Sequence, residues 1–144
     1  MRQAYLDLLD RQRKEINEFP IAYAFNNKQL EEALEKLGAN DISECVTVMN
    51  HGDIMKKEDA PKWLELLKRH VKELHEAMLD EDFAEAAFLY EMDNHEYAIN
   101  WDGDWDVLQC FAMSEENLDK LGLAGAYRRA RNQHMKNAEE WGMI

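Results

Sequence analysis

Between Glu73 and Asp119 the chain has no lysine and no arginine. That stretch holds fifteen carboxylates, whereas residues 1–72 carry 12 basic and 13 acidic side chains and residues 120–144 carry 5 and 2. Nearly all of the formal net charge of −13 therefore belongs to the middle third. A field of that sign repels phosphate and releases no counterions from nucleic acid or an anionic membrane. Direct binding to either is not expected; a partner with a basic surface, or solubility alone, is. Cysteine is equally scarce. Cys45 and Cys110 are far apart, form no CxxC, and suit a reducing cytoplasm as small core residues. No run approaches the roughly eighteen apolar residues of a membrane span, and Met1–Tyr5 lacks the apolar core of a signal peptide. A cytoplasmic protein is expected. GxSxG, GxxxxGK and HExxH are all missing, so no nucleophile, phosphate loop or zinc helix is signalled. The expectation is a non-enzyme without cofactor.

What is present is ample for a core. With 144 residues, 46% hydrophobic and 10% aromatic, the chain has the length of one domain and too much apolar surface for a disordered acidic tail. Residues 2–18 have helical periodicity, with Tyr5, Leu9, Gln12 and Ile16 on one face, and Pro20 ends that helix. Ile21–Phe25 suits a buried strand or an extended connector. Asn26 caps a second helix with Gln29 three residues on, and Gly38 supplies its left-handed exit. Cys45–Lys57 reads as a hairpin turning at Asn50–Asp53. Asp59 and Pro61 start the longest helix, with Trp63, Leu67, Val71, Leu74 and Met78 as its inward stripe. Another helix follows Asp80-Glu81-Asp82, with Phe83, Ala87 and Tyr90 inward. Tyr97, Ile99 and Trp101 alternate as in a strand. The segment 104–111 fits a strand or, better, a helix with Trp105, Leu108 and Phe111 or Ala112 on one face. Ser114 caps a short helix to Gly122, and a basic helix runs from Leu123 to about Trp141. The expected fold class is α+β, a predominantly helical single domain with a small antiparallel β-sheet.

Several strings together, namely Arg11–Pro20, Phe25, Gln29, Lys36-Leu37-Gly38, Lys57–Ala60, Arg69–Leu74 and Asn94–Tyr97, resemble a family of small phage and prophage proteins of gut bacteria. The resemblance covers roughly residues 5–121. It departs at Asn50–Asp53, where a glycine-rich turn is usual, and finds no counterpart for the last basic helix. It implies a phage lifestyle and a host bacterial cytoplasm, and it implies no catalytic residue.

Candidate chemistry is sparse. Glu91, His95 and Glu96 could seed a metal site with His70 or His75, since imidazole and carboxylate are metal ligands; the alternative gives His95 and Tyr97 structural hydrogen bonds. Asp102–Asp106 imitates the opening of a calcium loop, but Val107 and Met113 stand where glycine and glutamate are needed. Trp101 and Trp105 beside acids fit an interaction hot spot, but a core role for both fits them better. The basic residues of the last helix are expected to dock on the chain's own acids. The leading expectation is a phage-encoded inhibitor of anti-defence or anti-CRISPR type. Its carboxylates would mimic nucleic acid in a basic groove of a host protein. The contacts would be Asp80, Glu81, Asp82, Trp101, Asp102, Asp104, Trp105 and Asp106. The alternative is a phage housekeeping or assembly protein that forms a homo-oligomer through an apolar patch.

Overall fold

A computed structural model of the chain describes residues 1–95, 97 and 103–142. In order it contains helix α1 (Arg2–Glu18), strand β1 (Ala22–Tyr23), α2 (Asn27–Leu37), β2 (Cys45–Val46), β3 (Asp53–Lys56), α3 (Ala60–Met78), α4 (Glu81–Asn94), α5 (Gly103–Gln109), α6 (Glu115–Lys120) and α7 (Ala124–Glu140), with single 3-10 turns at Ile42–Glu44 and Lys57–Asp59. The protein is α+β, predominantly helical, with one small antiparallel sheet. The chain gathers into two compact units, Met1–Gln12 with His70–Ile144, and Arg13–Arg69.

The smaller unit holds the sheet. β3 is its central strand, antiparallel to β1 (Ala22 opposite Ile54) and to β2 (Val46 opposite Met55). The hairpin expected over Cys45–Lys57 forms, and Ile21–Phe25 supplies the third strand. Helix α2 begins where Asn26 accepts from the Gln29 amide at 2.8 Å; the Gln29 side chain reaches back one residue further than a capping box requires, to the Phe25 amide. It ends at Gly38, whose φ of 70° is the left-handed exit. Ala22, Ala33, Met55 and Trp63 are buried here, with Trp63 against Phe19 at 5.2 Å between ring centroids.

The larger unit is a helical bundle in which α4 packs along α7. Its core is a chain of aromatic rings: Tyr127 on Phe88, Phe88 on Phe111, Phe111 on Tyr5, and Tyr5 on Phe83, with centroids 4.9 to 6.0 Å apart. Three of these pairs meet edge to face and Tyr5–Phe111 is tilted at 31°; aromatic contacts of this kind add about 0.5–1.5 kcal/mol per pair to the burial itself. Met78, Met92, Leu108 and Leu123 fill the gaps between the rings.

Two expected faces turn out otherwise. Val71 is exposed, and His70 takes the buried place beside it on α3, its carbonyl accepting from the Gln12 side chain. Of the segment 104–111, the part up to Gln109 is helical, the preferred of the two expectations, and 110–111 form a turn, but Trp105 does not share the buried side with Leu108 and Phe111. It is 62% exposed, and Val107 is buried in its stead. A seven-residue helix lying on a core can bury only about two turns of one side, and the adjacent pair Val107-Leu108 centres that side away from Trp105. Ala98–Trp101, the rest of the expected strand, lies outside the described residues.

Candidate functional site

Several carboxylates of the middle third are engaged within the fold, while others stay at the surface. Glu73 pairs with Arg11, Glu76 with Lys72 and Glu116 with Lys120. Glu81 and Glu85 both face Arg129, at 3.8 and 2.9 Å, so the basic α7 does dock on the chain's own acids. That bond to Glu85 raises the pKa of the guanidinium further. Asp80 is the N-cap of α4, accepting from the amides of Asp82 and Phe83. Asp93 accepts from Asn137 and meets the Nδ1 of fully buried His134 at 2.6 Å. Among the described acids, Glu76, Asp80, Glu81, Asp82, Asp106, Glu115, Glu116 and Asp119 are exposed at the surface; Glu96 and Asp102 lie outside the described residues, as does Trp101.

Asp104 has the most demanding post. Its Oδ1 accepts from the hydroxyls of Tyr97 at 2.6 Å and Tyr127 at 2.5 Å. Burial and then the bond to Asp104 push the Tyr97 pKa up to about 12, and the same causes raise that of Tyr127. Asp104 thus ties α5 to α7 and is half-buried, not displayed. Beside it opens a cleft of about 350 Å³ lined by Asp104, Glu115, Asp119, Arg128 and Arg131, in which both signs of charge are present. Of the eight expected contacts, α5 displays Trp105 and Asp106 and the start of α4 displays Asp80, Glu81 and Asp82, the first two of which also bond within the fold. Asp104 is half-buried, and Trp101 and Asp102 lie outside the described residues.

A second cluster was only half visible in the sequence. Glu91 lies in the last turn of α4, is buried, and accepts from the Tyr5 hydroxyl at 2.8 Å on Oε1. Its Oε2 stands 3.2 Å from the Nε2 of His95, one helical turn on. The Sγ of Cys110, just beyond α5, lies 3.4 Å from the same Nε2. Burial, then the charge of Glu91, pushes the Cys110 thiol up to about 12, so it is no thiolate nucleophile at neutral pH. The partner expected from α3 is absent from this cluster: His75 bonds the Phe111 carbonyl instead. Cys110 takes its place, fifteen residues from His95, a distance over which no spacing rule operates.

A model of a family of unknown function, DUF7659, matches residues 4–139. The chain belongs to this family. No curated protein and no solved structure matches DUF7659's member described here. The match spans both compact units and all the residues of the two clusters, so the whole arrangement falls within the DUF7659 region.

Proposed function

We propose that the protein is an acidic interaction protein, a non-enzyme, that engages a basic surface of another protein through the outer face of α5. The observation that carries this reading is Trp105: a large indole, 62% exposed, on a helix whose opposite side is buried, with Asp106 next to it and no described cation nearby in sequence. Exposed tryptophan rimmed by charge is the usual composition of an interaction hot spot. The net charge of −13 adds a field that accelerates encounter with a basic partner. The resemblance to phage proteins directs the choice of partner to nucleic-acid-binding host proteins, including nucleases of bacterial defence. Among the described residues, Trp105 and Asp106 on α5 and Asp80, Glu81 and Asp82 at the start of α4 are the exposed members of the contact set, and half-buried Asp104 is its least available member.

Displacement of labelled DNA from a basic nuclease, followed by fluorescence anisotropy, tests this. The intact chain is expected to displace DNA with an affinity that falls steeply with salt. Trp105→Ala combined with Asp106→Lys is expected to abolish displacement. Displacement that is indifferent to both salt and these changes sinks the proposal.

A second reading is self-association. Tyr23 and Phe25, on and just beyond the edge strand β1, are 54% and 73% exposed, and exposed strand edges pair readily. Light scattering that finds a salt-insensitive oligomer, dispersed by Phe25→Ser, favours it over the first.

A further inference from the structure

We propose that Glu91, His95 and Cys110 form a binding site for a divalent transition metal of the zinc type, with a fourth position open to solvent. Their ligand atoms all lie within 4.8 Å of one another. Zn–N and Zn–O bonds of about 2.0–2.1 Å and Zn–S of about 2.3 Å place neighbouring ligands of a tetrahedron roughly 3.3 Å (N to O) and 3.5 Å (S to N) apart. The observed separations are 3.2 Å from His95 Nε2 to Glu91 Oε2 and 3.4 Å from the same Nε2 to Cys110 Sγ. Two of the three separations therefore match those of ligands on one ion, and the third pair, Glu91 and Cys110, lies within 4.8 Å.

His95 directs a single ring nitrogen at both neighbours, and the Cys110 thiol also reaches the Asp106 carbonyl at a long 3.6 Å. A cation at the centre would be shared by all three ligand atoms. It would also neutralise Glu91, a buried carboxylate whose other oxygen accepts from the neutral Tyr5 hydroxyl; a buried charge wants such a partner. Tyr5 is then the outer-shell donor that aims the carboxylate, the usual companion of a metal ligand. The mixed nitrogen, oxygen and sulfur set selects zinc, cobalt or nickel over magnesium and calcium. His95 is exposed, so an ion enters from its side.

Titrating the full chain, first treated with chelator and reductant, with Co2+ tests the site. The expected result is one equivalent bound, with the near-ultraviolet thiolate-to-cobalt band and intense visible bands of a four-coordinate ion, both displaced by Zn2+. Cys110→Ser is expected to remove the thiolate band, and His95→Gln, at an exposed position, to abolish tight binding. Cys45→Ser is expected to change nothing. Tyr5→Phe, which keeps the ring in the core, should weaken binding about ten-fold or more. Because Glu91→Gln could disturb the core, His95→Gln with unchanged circular dichroism carries the test. Cobalt uptake without a thiolate band, or uptake equal in wild type, Cys110→Ser and His95→Gln, means adventitious binding to surface carboxylates and overturns the proposal.

Discussion

Replacing Asp104 by alanine removes the acceptor that Tyr97 and Tyr127 share. Each hydrogen bond to a charged group contributes about 1.5–3 kcal/mol, so two would suggest roughly 3–6 kcal/mol. That figure is too large here, because Asp104 is half-buried and its neighbourhood is the open cleft between α5 and α7. Water can reach the abandoned hydroxyls, and solvent screens the lost charge. The expected loss is therefore about 2–3 kcal/mol for Asp104→Ala, and about 1–2 kcal/mol for Asp104→Asn, whose amide oxygen still accepts. Urea unfolding by circular dichroism measures both as a lower midpoint at unchanged slope. Tyr127→Phe in the Asp104→Ala background should cost less than it does alone, since the bond is already gone. The network has a pH signature as well. The folded pKa values of Tyr97 (about 12) and Tyr127 are raised above the unfolded value. The stability they contribute is complete below the unfolded pKa of about 10 and is lost as pH rises toward the folded values. In Asp104→Asn that alkaline loss should flatten. Losses under about 0.5 kcal/mol for both Asp104 variants, the range of an ordinary surface change, would refute the reasoning.

Three further outcomes follow from the smaller unit and the helix caps. Asp53, buried in β3, accepts from the amides of Val48, Met49 and His51 and from the Thr47 hydroxyl. Burial alone would raise its pKa, but these donors outweigh it and hold the carboxyl far below the usual range. Its stabilisation is present above the unfolded pKa of about 4 and is lost as pH falls below it, so Asp53→Asn should cost about 2 kcal/mol at neutral pH and little in acid, by urea midpoints. Gly52→Ala should destabilise by more than about 1 kcal/mol in thermal unfolding. Its φ is +80°, and an added Cβ would stand 2.5 Å from the Phe25 ring; Phe25→Ala should relieve the second part only. Ser114→Ala removes the reciprocal cap with Asn117 on α6 and should lower stability by about 1 kcal/mol in the same assay.

Local features were legible because their physics is local. A cap is decided by a side chain and an amide three residues on, which is why the starts of α2 and α6 and the Gly38 exit could be read from Asn26, Ser114 and Gly38. The hairpin was legible from Val46 and the polar turn. Its third partner was ambiguous, since Ile21–Phe25 reads equally as strand or connector until β3 is beside it. Periodicity misplaced Trp105 and Val71 because a 3.6-residue stripe says which residues align, not where the stripe's edge falls on a particular core. The metal-type cluster was half legible. Glu91 and His95 sit one helical turn apart, but Cys110 reaches them only through the folding of α5 against α4.

The amino-acid order by itself determined most of the helices and several of their ends, the sign of the charge and its concentration in one third of the chain; for 104–111 it left strand and helix both open. All of these depend on neighbours within a turn or on summed charge. Only the tertiary structure decided what the carboxylates do. Asp104 became an internal acceptor, Glu81 and Glu85 were taken by Arg129, and Glu91 was buried against Tyr5 and His95. A carboxylate's role is set by which donor lies within about 3 Å, and that distance is governed by helix packing between residues that lie far apart in the chain.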